Sequence, residues 1–227
     1  SHGIKPQDII QGAFVLSSSY AYFPKGSVFC VVVDPGVGTE RKAVCIQTRD
    51  YYFVGPDNGI LWDAAQKNGI GKTVSLTQSE YHLPEVSATF QGRDIFAPVS
   101  AHISKGIDDI FVLGEQFNEI QTLAFPGIKK QGDQWELCVI SIDRFGNITL
   151  NLTMPEFIKI KADKNFKICI NGSEISEFQT TYGLAESGRP FIIESSSSHL
   201  EISMKNENAA SVLGAQTGNI VRLEIFN

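Results

Sequence analysis

The run Val31-Val32-Val33-Asp34-Pro35-Gly36-Val37-Gly38-Thr39-Glu40-Arg41 constrains the chain more than any other stretch. Three β-branched residues favour a buried strand, and a carboxylate, a proline and two glycines end it abruptly. A parallel strand delivers an acid to the rim of a sheet in this way, and open α/β sheets bind ligands outside the carboxyl ends of their strands. Pro35 withholds an N–H, while Gly36 and Gly38 permit close backbone approach. Arg41, further along the same loop, can return to pair with Asp34. A plain strand-end turn carrying a solvated aspartate has the same local pattern, so this stretch alone leaves the function open.

The order of elements around it is α/β at first and β afterwards. Pro6 is expected to open a first helix with Ile10, Ala13, Phe14 and Ala21 on its apolar face. Strands are expected over 27–33, 43–48, 51–54 and 73–76. The turn-rich Gly55-Pro56-Asp57-Asn58-Gly59 leads into a short helix over 60–66. Asp94 is placed as the N-cap of a helix over 95–104, with Pro98 tolerated in its first turn. From Gln134 the pattern is almost all β. Strands over 135–142 and 148–152 flank the turn Asp143-Arg144-Phe145-Gly146-Asn147. Further strands are expected over 157–160, 166–170, 190–194, 199–204 and 219–225, with one helix over 208–213. Asn171-Gly172 is the strongest hairpin-turn signal in the chain. The reading is an α/β domain over 1–116 with a mostly parallel sheet and helices, a linker over 117–133, and an all-β barrel domain over 134–227.

Composition excludes some classes. The chain has 227 residues and a net charge of −6, which argues against a nucleic-acid partner and suits a cationic small ligand. No apolar run approaches the roughly 18 residues of a membrane span, and no cleavable signal is visible. Cys30, Cys45, Cys138 and Cys169 each lie in an apolar run and are expected as buried free thiols, in keeping with a cytoplasmic location. His2, His82, His102 and His199 are isolated, so no metal site is expected. There is no nucleophile elbow and no phosphate-binding loop of the Walker type. What remains is a set of turns rich in Asp, Arg, Asn and aromatic residues at the ends of apolar strands, where function tends to lie.

Taken in order, these turns resemble the S-adenosyl-L-methionine hydroxide adenosyltransferase family, relatives of the fluorinase and chlorinase enzymes. The resemblance runs through SHGIKPQDI, VVVDPGVGTER, VGPDNGIL, ATFQGRDIFAPVSAHI, IDRFGNITLN and SSSSHLEISMKNENAASVLG, nearly the whole chain. It implies an α/β domain, a β-barrel domain and a homotrimer whose active sites lie between the first domain of one subunit and the second of its neighbour. It implies hydrolysis of S-adenosyl-L-methionine to adenosine and L-methionine, with no cofactor. The family's catalytic aspartate and arginine fall on Asp34 and Arg41, and its histidine, in TFHGRD, falls on Gln91. Phe90 and Gly92 flank that position. The adenosine-binding hairpin falls on Asp143, Phe145 and Asn147. The late strand contacting adenine and the methionine end falls on Ser196, Glu201 and Met204.

Two departures stand out. Gln91 cannot titrate, so it can only hold or orient water by hydrogen bonds. Residue 1 also reads as an interior position, after the family's first strand and its ribose-gripping aspartate loop; a sheet without that strand exposes an edge. The sulfonium leaves as a neutral thioether, so no general acid is needed. Asp34 can take the proton of the attacking water and attract the sulfonium. Arg41 either holds Asp34 or steadies hydroxide electrostatically. A halide nucleophile is a second reading, which Gly92 does not decide and which a carboxylate beside the nucleophile disfavours. A non-catalytic trimer binding adenosine or S-adenosyl-L-methionine is a third.

Overall fold

The computed structural model describes residues 3–227; Ser1 and His2, and the readings that fall on them, lie outside the described residues. The chain divides into two units, Ile4–Leu123 and Ala124–Asn227, Gly3 going with the latter.

In the first unit the helix α1 (Ile9–Ser19) is capped by Asp8, whose carboxylate accepts from the Gln11 N–H. Pro6 therefore stands in the preceding turn and does not open the helix. The strands β1 (Val28–Cys30), β2 (Ala43–Thr48), β3 (Tyr52–Pro56), β4 (Ile70–Leu76) and β5 (Gly114–Gln116) form one sheet in the order β1-β3-β2-β4-β5. The helices α2 (Trp62–Asn68) and α3 (Ala97–Ser104) complete the unit. The sheet is mixed, not mostly parallel: β1 and β3 are parallel, while β2 pairs antiparallel with β3 and β4, and β4 with β5. The reason is the short Arg49-Asp50 connection, which can only turn the chain back as a hairpin between β2 and β3. Val54, Cys45, Val74, Phe96 and Val99 form the core between sheet and helix.

Asp94 does not cap α3. The chain enters that helix through a π-helical turn, Gly92–Phe96, in which Asp94 is buried. Its carboxylate accepts from the Ser87 N–H at 2.8 Å and pairs with Arg93 at 2.5 Å, and these bonds hold its acid below the ordinary carboxylate range. Pro98 does fall in the first turn of α3.

The second unit carries β6 (Lys129–Gln131), β7 (Gln134–Ile142), β8 (Ile148–Thr153), α4 (Met154–Lys161), β9 (Asn165–Ile170), β10 (Ser173–Ile175), β11 (Pro190–Glu194), β12 (His199–Met204), α5 (Ala209–Leu213) and β13 (Ile220–Phe226). Its sheet runs β10-β9-β13-β7-β8-β12-β11, with β6 added to β7. The Gln179 N–H donates to Ile192 O and the Ile192 N–H to Glu177 O, both at 2.8 Å, so the two ends nearly close a barrel. Leu137, Val139, Leu150, Phe157, Ile168, Leu200 and Val221 fill it. Asn171 and Gly172 both have positive φ, 47° and 85°, as the tight β9–β10 hairpin requires.

The stretch 157–160 is helical, not a strand. Thr153 and Glu156 form a capping box and Pro155 lies in the first turn, so α4 starts at Met154. Residues 117–133 are also more than a tether. The Gln121 N–H donates to Asp57 in the first unit, and β6 belongs to the barrel. The cysteines are all unpaired. Cys45 and Cys138 are buried, but Cys30 is exposed on the edge strand β1 and Cys169 is half-buried. Among the described residues no helix is long and apolar enough to cross a membrane.

Candidate active site

The first unit gathers three of its turns at the end of β1. β1 ends at Cys30, short of the strand expected over 27–33, although the Val31 N–H still donates to Val54 O at 2.9 Å. A side chain on Gly55 would lie 2.3 Å from Val31 O, so only glycine lets β3 approach this closely. Asn58, from the GPDNG turn, then donates its amide to Val33 O at 2.9 Å. Asp57 beside it is buried, accepts from Gln121, and has its acid pushed up, chiefly by burial. That turn anchors the backbone immediately before Asp34.

Asp34 and Arg41 do pair across the loop. The Arg41 Nε lies 3.0 Å from both carboxylate oxygens, and its Nη2 donates to Oδ2. The side chains are 6% and 10% exposed, so the pair is largely shielded from water. The same Nη2 donates to Gln91 Oε1 at 2.5 Å. The ring of Phe96 lies under the guanidinium at 5.3 Å. Sequence reasoning passed over Phe96; the apolar position in GRDIF was its only signal. Arginine has no acceptor, so Gln91 must offer it oxygen and turn its amide N–H groups the other way. Gly38, at φ 81°, lets the loop close on TFQGRD, for a side chain there would lie 3.0 Å from Ala88 O. Gly92 faces Val32, and Phe90 is exposed with Arg93 over its ring at 4.7 Å. The structure therefore brings Asp34, Arg41 and Gln91 into one hydrogen-bonded line, with Phe90 and Gly92 beside it.

The second unit holds a separate cleft of about 850 Å³. Asp143, Phe145, Asn147 and Met204 line it, together with Tyr182, Lys205 and Asn208, which sequence reasoning did not single out. Asp143 serves its own turn. Its carboxylate accepts from the N–H groups of Phe145 and Asn147 at 2.8 and 2.9 Å and from the Asn147 amide at 3.0 Å. Phe145 is left projecting, 62% exposed. Gly146 has φ 89° and its α-carbon meets Asn208, the N-cap of α5, so closely that a side chain would overlap the amide. The Ala210 N–H donates to Gly146 O, which ties the turn to α5. Glu201 does not line the cleft. It is buried behind Tyr182, whose hydroxyl donates to Oε1 at 2.7 Å, and the Ser203 hydroxyl donates to the same oxygen at 2.8 Å. Burial raises the Glu201 acid, and burial with the Glu201 bond pushes the Tyr182 phenol up to about 12. Ser196 lies exposed in the turn between β11 and β12, away from the cleft. Among the described residues no group of three or more His, Cys, Asp or Glu stands ready to hold a metal. His102 packs edge-on against Tyr81, and His82 is half-buried.

Two family models match the chain. SAM hydroxide adenosyltransferase N-terminal domain matches residues 1–113, and SAM hydroxide adenosyltransferase C-terminal domain matches 137–222. A protein of Methanocaldococcus jannaschii named (R)-S-adenosyl-L-methionine hydrolase is 38% identical, over 94% of this chain and 77% of its own length. The chain belongs to the SAM hydroxide adenosyltransferase family. A Salinispora tropica protein with the same name is 31% identical, over 98% of this chain and 84% of its own. A crystal structure of an uncharacterized conserved protein from Thermotoga maritima superposes with a TM-score of 0.88 at 30% identity, covering 98% of this chain and 86% of that one. Both motif-bearing regions described above, the Asp34 loop and the DRFGN turn, fall within the matched family domains.

Proposed function

We propose that the protein hydrolyses S-adenosyl-L-methionine to adenosine and L-methionine. The observation that carries this is the shielded line Asp34–Arg41–Gln91, in a family whose relatives bear the hydrolase name. Water attacks C5′ of the ribose in line with the sulfonium. The new C5′–O bond forms as the C5′–S bond breaks, its electron pair staying on sulfur as the neutral thioether of methionine. The water proton passes to Asp34 and then to solvent. No cofactor is required, because the sulfonium is already an activated leaving group. Holding water and C5′ in line can supply about 7–11 kcal/mol of the barrier. Arg41 fixes the carboxylate and adds positive charge where hydroxide character develops. Gln91, its oxygen committed to Arg41, turns N–H donors toward the nucleophile; it orients and does not take the proton.

Phe145, Asn147 and Met204, in the barrel cleft, are proposed to take the adenosine end. Ser196 and Glu201, which the resemblance gives to the same end, receive no direct contact in this reading, because Ser196 lies outside the cleft lining and Glu201 is buried behind Tyr182. The working form is a homotrimer in which the first unit of one subunit meets the second unit of its neighbour. That arrangement is supported by the division of the motifs, the charged line on one unit and the aromatic cleft on the other. We place the protein in the cytoplasm, where four unpaired cysteines stay reduced.

The test is incubation with S-adenosyl-L-methionine, with and without chloride, and chromatography of the products. Adenosine and methionine in both are expected. A chlorinated adenosine would mean a halide nucleophile, and binding without product would mean a non-catalytic trimer. Mixing Asp34→Ala with Phe145→Ala subunits should restore some turnover if sites are shared between subunits, and none if each chain forms its own.

A further inference from the structure

Tyr182 stands on a short 3-10 turn, Tyr182–Leu184, rather than on a strand. Such a turn has few bonds of its own, yet its ring forms part of the cleft wall. Two contacts from the neighbouring strand region hold it. The phenol hydroxyl reaches inward to Glu201 Oε1 at 2.7 Å, and the Lys205 ammonium donates to Gly183 O at 2.9 Å. The ring also packs edge-on against the buried Phe191, centroids 6.0 Å apart. Glu201 is fixed in turn, because Ser203, two residues along β12 on the same face, donates to the same carboxylate oxygen at 2.8 Å. A buried carboxylate is costly unless its hydrogen bonds are made. Here both bonds go to hydroxyls, and one of those hydroxyls belongs to a residue of the cleft.

From this geometry we infer that Glu201 is a positioning residue: it touches no substrate and sets the Tyr182 ring against the ligand in the barrel cleft. This deepens the functional reading and rests on it, because the ligand concerned is the adenosine end of the substrate. It also reassigns Glu201 from direct contact to action through Tyr182. The chemistry lies in the other unit, so loosening Tyr182 costs binding and spares the reacting atoms.

The test uses the full chain with Tyr182→Phe, Glu201→Ala, Glu201→Gln and the double variant Tyr182→Phe with Glu201→Ala. Tyr182→Phe keeps the ring and loses the tether. Glu201→Gln keeps volume and an acceptor oxygen, which guards against a variant that fails to fold. Loss of one such hydrogen bond should raise KM and the Kd for adenosine roughly three- to ten-fold, with kcat within about two-fold. The double variant should be no worse than either single one, and Glu201→Gln should recover most of the wild-type KM. With tyrosine-labelled protein, the Tyr182 ring resonance, assigned by its loss in Tyr182→Phe, should move in Glu201→Ala. An unmoved resonance overturns the tether, as does additivity in the double variant. A moved resonance with unchanged KM and Kd overturns the positioning role. If wild type forms no adenosine, the activity falls, and the resonance with the adenosine Kd still decides the tether.

Discussion

Asp34 and Asp143 are the same residue type at the mouths of two turns, and the fold uses them in opposite ways. Asp34 faces a cation contributed from farther along its loop, and that cation also reaches Gln91 on another element. Asp143 folds back on its own turn and spends its oxygens on the N–H groups of Phe145 and Asn147. The first arrangement concentrates charge where a nucleophile can stand. The second commits the carboxylate oxygens to the turn and displays a ring. A motif acid therefore does not announce its role by identity; its partners decide whether it does chemistry or builds scaffold.

Several substitutions can break or sharpen that contrast. After replacement of Asp34 itself, the largest effect is expected from Arg41→Ala. It should cut adenosine formation about 10²–10³-fold, as loss of a preorganised charge does. It should also destabilise the first unit by about 3 kcal/mol, because Asp34 would be left shielded and unpaired. Steady-state kinetics and thermal melting would check both, and a variant at wild-type rate would put Asp34 and Asp143 on the same footing. Gly146→Ala comes next. Positive φ and the overlap with Asn208 should cost about 2–3 kcal/mol, with KM rising more than kcat falls. Asp143→Ala should cost about 1 kcal/mol in denaturant unfolding and leave kcat near wild type; a kcat loss as deep as that of Arg41→Ala would make Asp143 a reacting group.

The smallest effect concerns pH. Burial raises the Glu201 acid in the folded state, against the pull of Tyr182 and Ser203 and with some help from the negative charge of Asp143. Folding then favours the protonated form. The stabilisation is full below the ordinary glutamate range and is lost as pH rises through the raised folded value. Glu201→Gln should remove that part of the slope, which melting curves between pH 4 and about pH 8 would read. A variant with the wild-type slope would mean the carboxyl titrates normally.

Much of this was legible in the sequence, and the failures have physical causes. The VVVDPGVGTER stretch revealed the Asp34–Arg41 ion pair because proline and glycine shape the loop locally, but its three valines are not the buried strand they suggested: β1 stops at Cys30 and Val32 is exposed. Asn171-Gly172 and the DRFGN turn were readable for the same reason. Strand direction was misread, because the residue pattern of β2 and β3 suits a hairpin and a crossover equally; the short Arg49-Asp50 link, visible in the sequence, was the signal that decides it. The helix at Met154 was missed although Thr153 and Glu156 spell its capping box; the apolar run Phe157–Ile160 hid it. Asp94 looked like a cap because capping acids and buried acids share a sequence. Its true partners are Ser87, brought in by the fold of the preceding loop, and its neighbour Arg93 in the same turn. Tyr182 sits in a stretch with no periodicity, so nothing local marked it.

The central claim is that Asp34 takes part in the reaction while the barrel turn only binds. Asp34→Asn keeps the shape of the side chain and an acceptor for Arg41 but removes the proton-accepting charge. The direct measurement is its kcat for adenosine formation from S-adenosyl-L-methionine, beside its Kd for adenosine. The account predicts a fall in kcat of about 10²–10⁴-fold with adenosine binding preserved. A kcat near wild type would contradict it and take Asp34 out of the chemistry.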